Sequence, residues 1–207
     1  MLHDLIFPKR CLGCSRLGEW MCPLCLRTWK CENLLTHVGG LQVYSSVLYS
    51  PIASRVLLAA KEDSIRIADD FVILALRLSI ARARKEFGLG AILVPIPSQR
   101  HAIRVRGRNF TDEIVNKAAR HEGNQVRQLL THQRRVKDQS ALDASSRRVN
   151  LREALTCTGN ISPSREVILA DDLVTTGSTL LEAVRALSLG NIAVLAAVTA
   201  CVAQPLR

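Results

Sequence analysis

Apolar and polar positions fall into blocks along this chain, and their period changes near residue 41. Val43–Tyr49 alternates with period two, as a half-buried strand does. Ile52–Lys61 and Ile65–Phe87 carry apolar residues at helical spacing, with arginines between them. Ala91–Ile96 is a short apolar run closed by prolines and predicts a strand. Phe110–Glu122 predicts a helix with Thr111 as its cap. Val126–Leu130 fits a strand, and the polar, charged stretch Thr131–Arg152 reads as a loop containing some helix. Val167–Ala170 predicts a four-residue buried strand, Ser178–Ser188 a helix stopped by Gly190, and Ile192–Ala203 the last strand. Strands alternating with helices predict an α/β fold, a mostly parallel sheet flanked by helices. Residues 1–40 behave differently. They are rich in Cys, Trp and Leu, lack a long periodic segment, and end at Gly39-Gly40. The expected organisation is a small unit over 1–40 and an α/β domain over 41–207.

Composition narrows the function classes. The chain has 207 residues, 48% of them hydrophobic, which excludes a disordered tail protein. No apolar run reaches the ~18 residues that cross a bilayer. The opening MLHDLIFPKRC does not have the layout of a secretory signal. A soluble, cytoplasmic protein with no membrane span is expected. Lys and Arg exceed Asp and Glu by 28 − 18 = +10, which favours polyanionic partners: nucleic acid, nucleotides or phosphorylated sugars. At 4% aromatic residues, an extended base-stacking platform is not expected.

Five of the seven cysteines lie between Cys11 and Cys31. Four are spaced Cys11-x2-Cys14-x7-Cys22-x2-Cys25. Each C-x2-C pair forms a tight knuckle, and two knuckles supply the four thiolates of a tetrahedral Zn2+ site. A segment this short cannot bury enough surface to fold alone, so metal binding would contribute its folding free energy. A redox dithiol pair is the alternative. A four-thiolate site has no open position, so no catalysis is assigned to it. Cys31 could serve as a spare ligand but reads more simply as an ordinary buried or free thiol, and Cys157 and Cys201 read as structural.

The most informative stretch runs from Val167 to Thr179. A buried strand ends in Asp171 and Asp172, a hydroxyl-rich turn follows, and a helix begins. Thr175, Thr176, Gly177, Ser178 and Thr179 can present backbone N–H groups and hydroxyls to a phosphate, and the helix N-terminus adds its positive end. Gly177 permits positive φ or a close backbone approach. Carboxylates beside a phosphate repel it unless they bind hydroxyls or a metal. A ribose 5-phosphate satisfies both demands, with its phosphate in the turn and its 2′- and 3′-hydroxyls on the acids. N-capping alone needs one such residue, and here there are four hydroxyls. Neither G-x4-G-K-[ST] nor G-x-G-x-x-G is present.

This stretch resembles the thirteen-residue signature of type I phosphoribosyltransferases, which bind phosphoribosyl pyrophosphate (PRPP). Three more segments make the chain similar to the ComF family: LIFPKRCLGC with CPLC, VPIPSQRHAIRVRGRNF, and KDQSALDASSRRVNLREAL. The resemblance implies the type I phosphoribosyltransferase fold with a small N-terminal zinc ribbon. It implies Thr175–Thr179 on the 5-phosphate, Asp171 and Asp172 on the ribose, and the turn at Pro95–Arg100 near the pyrophosphate. Arg104–Phe110 would belong to a mobile hood. Its motif here reads Arg106-Gly107-Arg108-Asn109-Phe110, where family members often end R-G-F-N-Q. Lone Cys31 stands where they often carry a further knuckle.

Arg100, Arg104, Arg106 and Arg108 fall within nine residues, with no acid from Ala91 through Thr111. In isolation such a segment is a solvated loop or a DNA-facing patch. Beside the PRPP signature, pyrophosphate binding by Arg100, Arg104 and Arg106 is the favoured reading. Mg2+ would accompany the pyrophosphate. Lys61 could reach the same anion but reads more simply as a surface lysine, and the five histidines read as surface or packing residues, of which His101 alone, within the basic loop, could touch an anion. Thr175 stands where some purine-salvage relatives have a carboxylate, which disfavours a 6-oxopurine acceptor. Three functions compete: a phosphoribosyltransferase, a non-catalytic PRPP or nucleotide sensor, and a zinc-dependent accessory protein binding single-stranded DNA. The resemblance implies a link to DNA uptake in natural competence, with a helicase-like partner.

Overall fold

In the computed structural model, residues 8–88, 91–133, 153–159 and 166–204 are described. Residues 134–152 lie outside them, and with them nearly all of the loop expected at Thr131–Arg152 and most of the KDQSALDASSRRVNLREAL segment. The elements run α1 (Pro23–Thr28), β1 (Leu34–Val38), β2 (Leu41–Leu48), α2 (Pro51–Lys61), α3 (Arg66–Phe87), β3 (Ile92–Pro95), α4 (Arg100–Arg106), α5 (Phe110–Glu122), β4 (Leu130–His132), β5 (Leu155–Cys157), β6 (Val167–Val174), α6 (Ser178–Leu189) and β7 (Val194–Val202).

Five strands form one sheet in the order β1-β2-β7-β6-β3. β2, β7, β6 and β3 run parallel, and β1 is antiparallel at the edge. The fold is therefore mixed α/β, with a mostly parallel sheet and helices on both faces. Alternation along each central strand feeds two separate cores. Ile168 and Ala170 of β6 join Val198 of β7 in a core with α2, α3 and α5. Val167 and Leu169 face the other way and pack with Ala183 and Leu187 of α6. α3 crosses the first face with Val72, Leu76 and Ile80 fully buried. α2 starts where Ser50 Oγ accepts the Ala53 N–H at 3.1 Å and Pro51 opens the first turn.

Several elements differ from the sequence pattern. β6 runs to Val174, past the expected Ala170, because its distal half stays paired with β7, Asp171 opposite Thr199 and Val174 opposite Val202. β1 was not expected. It pairs with β2 through a hairpin turning at Gly39 and Gly40, both at positive φ, so the chain crosses position 40 inside a hairpin. Of the strand expected at Val126–Leu130, Val126 makes one bridge to Leu93, and the strand itself is displaced to β4, paired with β5. Thr111 is not a cap. It is 3% exposed within the first turn of α5, and Asn109 holds the cap position.

Candidate functional site

A cavity of about 730 Å³ opens beyond the C-terminal ends of β3 and β6 and the residue following β2. Crevices in parallel sheets hold ligands at this edge, where backbone N–H groups and helix N-termini converge. Its walls include Lys61 and Glu62 at the end of α2, Ser98 and Gln99 after β3, His101 and Arg106 of α4, and Asp171, Asp172, Thr175 and Thr179 after or within the end of β6.

The two acids are not equivalent. Asp172 is 5% exposed, and Lys61 Nζ donates to its Oδ2 at 2.8 Å. Burial pushes the Asp172 carboxyl up, but the charge of Lys61 together with hydrogen bonds from Asp171, Lys61 and the backbone outweighs burial and holds it below the usual range. Burial likewise opposes the charge on Lys61. Asp172 and Asp171 outweigh that, and the ammonium is held charged although Arg106 opposes it. Asp171 accepts the N–H of Asp172 on Oδ1 at 2.8 Å. Burial, then the neighbouring charge of Asp172, push Asp171 well above the usual carboxylate range. One acid is thus ionised and paired, while its neighbour faces the cavity with its negative charge opposed. Hydroxyl donors or a cation beside Asp171 would relieve that opposition.

The turn after β6 is held by its own hydroxyls. Thr176 Oγ1 lies 2.9 Å from Ser178 Oγ and accepts the Ser178 N–H at 3.4 Å. Gly177 sits at φ 73° before α6. A Cβ there would lie 2.1 Å from Cγ1 of Val38, so the turn is pressed against the end of β1. Thr175 and Thr179 line the cavity, whereas Ser178 is buried.

The four clustered arginines go to three different places. Arg106 lines the cavity and gives Nε and Nη2 to Glu62, at 2.8 and 2.7 Å. Arg100 and Arg104 are exposed on α4, outside the lining. Arg108 is buried between helices. It donates to Asp69 of α3 at 2.9 Å, pairs with Glu113 of α5 at 2.9 Å, and stacks over Phe110. Of the cavity residues, sequence reasoning took Lys61 for a surface lysine and did not single out Glu62. His132 was also given a default role, yet its Nε2 donates to the carbonyl of Pro97, 2.9 Å away, and so braces the loop after β3. Burial pushes the His132 pKa down, although the contact with Pro97 offsets part of that.

The other constellation is the cysteine cluster. The sulfurs of Cys11, Cys14, Cys22 and Cys25 all lie within 4.8 Å of one another, able to chelate one metal ion. The first knuckle is closed by a bridge between Arg10 and Leu17, and the second opens α1, with Cys22 at the cap position. Burial raises the Cys11 thiol, but the N–H of Cys22, at 3.3 Å from Sγ, and those of Cys14 and Gly13 outweigh it, bringing the pKa to about 6. Gly13 is needed here, since a Cβ would lie 2.7 Å from the sulfur of Cys25. Donor chemistry and spacing both fit a thiolate-bound metal.

No helix among the described residues is long and apolar enough to cross a membrane. No family model matches the chain, and no curated protein matches it.

Proposed function

We propose that this chain binds PRPP with Mg2+ in the 730 Å³ cavity and is a phosphoribosyltransferase-like protein of the ComF type, built on the type I phosphoribosyltransferase fold. One observation carries the reading: Asp171, Thr175 and Thr179 line the same cavity, at the strand end where α6 begins. The turn Thr175–Thr179 holds the 5-phosphate on backbone N–H groups and hydroxyls, next to the positive end of α6. Asp171 accepts from the ribose hydroxyls, which stabilises its charged form. Asp172, fixed by Lys61, sets the direction of the strand end and lies close to the sugar. When bound, Mg2+ would neutralise charge on the departing pyrophosphate, and Asp171 is the carboxylate open to it.

The transfer step is a displacement at C1′. The bond to pyrophosphate breaks, its electron pair leaves on the pyrophosphate oxygen, and a nitrogen acceptor bonds to C1′ and gives up its proton to solvent. Negative Asp171 and Asp172 lie where the sugar develops positive charge. Cys11, Cys14, Cys22 and Cys25 would hold Zn2+ in a closed structural site that takes no part in the step. The family resemblance adds a role in DNA uptake beside single-stranded DNA or a helicase-like partner, and the net charge of +10 agrees with it.

Titration calorimetry with PRPP and Mg2+ tests the reading. The parent protein binds, and Asp171→Asn weakens binding by about tenfold or more, as expected for a charge-assisted contact. Absence of heat with PRPP, or equal affinity in Asp171→Asn, would remove the proposal. Pyrophosphate release over a panel of nitrogen acceptors then separates an enzyme from a sensor.

A further inference from the structure

Lys61 and Glu62 are sequence neighbours of opposite charge, and both face the cavity from the end of α2. Each is bound across the cavity to a group from a distant element. Lys61 holds Asp172 of β6 at 2.8 Å. Glu62 takes both arms of the Arg106 fork, at 2.8 and 2.7 Å. Among the described residues, both of the Lys and Arg side chains lining the cavity, Lys61 and Arg106, are therefore already engaged by protein carboxylates.

The Arg106 pair is the more exchangeable of the two. The carboxylates make the difference: Glu62 is 41% exposed against 16% for Arg106, whereas Asp172 is enclosed at 7% against 28% for Lys61. A two-point carboxylate on a guanidinium presents the same pair of oxygens that a phosphate group offers. α4, which carries Arg106, buries none of its seven residues, and Gly107 ends it at φ 68° with open space around it. The seat of α4 thus owes little to packing.

We propose that Glu62 is a built-in competitor for the cavity's anion: it fills the fork of Arg106, is displaced by a diphosphate, and so sets the affinity and selectivity for diphosphates over monophosphates. This rests on the phosphate reading of the cavity given above. A monophosphate seated in the turn before α6 is satisfied by N–H groups and hydroxyls, and leaves the Arg106–Glu62 pair alone. A diphosphate brings a second anionic group that can take the fork. Glu62 then turns to water, which its exposure permits, and the lost ion pair is charged against diphosphate binding alone.

The experiment is calorimetry with inorganic pyrophosphate plus Mg2+, with orthophosphate, and with PRPP plus Mg2+, on the full chain. Glu62→Gln binds pyrophosphate about fivefold tighter than the parent, the range of a half-exposed ion pair, while orthophosphate affinity is unchanged. Glu62→Asp, which keeps the charge, stays near the parent. In an Arg106→Gln background, Glu62→Gln gives no further gain. Equal tightening in that background would mean a simple loss of negative charge and would overturn the proposal, as would no tightening at all. A parent that binds PRPP while Glu62→Gln binds pyrophosphate no better sinks only the role of Glu62. If neither the parent nor any variant binds PRPP or pyrophosphate, the phosphate reading falls and this inference falls with it.

Discussion

Asp171 and Asp172 are adjacent carboxylates, and their surroundings drive their protonation apart. Asp171 is raised by burial and by its neighbour, so the folded chain holds its proton more tightly than the unfolded chain does. Its contribution to stability is full below the ordinary carboxylate range and is lost as pH rises through the raised folded value. Ionised Asp171 therefore costs stability at neutral pH. Asp171→Asn should stabilise the fold at pH 7 by about 1 kcal/mol in urea unfolding, and the gain should shrink toward pH 4. Asp172 has the opposite sign. Burial raises it, Lys61 and hydrogen bonds from Asp171 and the backbone together lower it further, and its contribution is present above the ordinary range and lost as pH falls through the lowered folded value. Asp172→Asn leaves Lys61 without its ion-pair partner and should destabilise by about 2 kcal/mol at pH 7, fading in acid. Identical pH profiles for the two variants would contradict this division. Gly177 is constrained by geometry rather than charge. Gly177→Ala must bear φ 73° and a Cβ 2.1 Å from Val38, and should cost about 3 kcal/mol. Val38→Ala in the same chain should restore part of that loss, because it removes the colliding methyls.

Elements were legible in proportion to how far a local period extends. α5 occupies the expected Phe110–Glu122, because thirteen residues carry one apolar stripe with Asp112 and Glu113 in the first turn. The three-residue strands β4 and β5 are too short to show a period, and β1 sits at a sheet edge with alternate residues half-exposed. The strand–turn–helix around Asp171 was legible because strand, hydroxyls and helix start are contiguous. Partners were not. Lys61 meets Asp172 across 111 positions, and nothing beside Lys61 separates it from a surface lysine. Arg104, Arg106 and Arg108 look alike in sequence, and their acid partners distinguish them, the decisive ones distant: Glu62 lies 44 positions from Arg106, and Asp69 lies 39 from Arg108. That distinction has a consequence for α3 and α5. Arg108 is 8% exposed, against Asp69 at 1%, so Arg108→Ala strands a buried carboxylate between the two helices. It should cost about 3 kcal/mol by denaturant unfolding, with Arg108→Lys recovering only part, since an ammonium cannot reproduce the fork. Arg104→Ala, exposed on α4, should change stability by less than about 0.5 kcal/mol.

At the scale of the whole molecule, the cysteine cluster does not stand apart from the sheet. Cys11, Cys22, Cys25 and Trp29 are buried in the same core as Tyr44 and Val47 of β2, Val56 of α2 and Leu76 of α3. Trp29 meets Phe71 of α3 edge-on at 6.3 Å, and Nη1 of Arg55 donates to the carbonyl of Gly13 at 2.6 Å. A metal held by the knuckles would therefore also shape one wall of the larger core, and its removal would be felt by α2 and α3. Stripping the metal with a strong chelator under reducing conditions should lower the melting temperature of the entire chain in one cooperative transition, not split off a minor early step. Cys14→Ser provides the matching variant. Cys14 is exposed, so the substitution creates no cavity and acts chiefly by removing one ligand. It should lose most of the bound metal and melt at a similarly reduced temperature. Cys31→Ser, at a thiol outside the cluster, should keep the metal content of the parent. Elemental analysis and calorimetric melting measure both quantities. A parent chain that carries no metal, or a stripped chain with an unchanged melting temperature, would show that packing around Trp29 alone holds the module to the sheet.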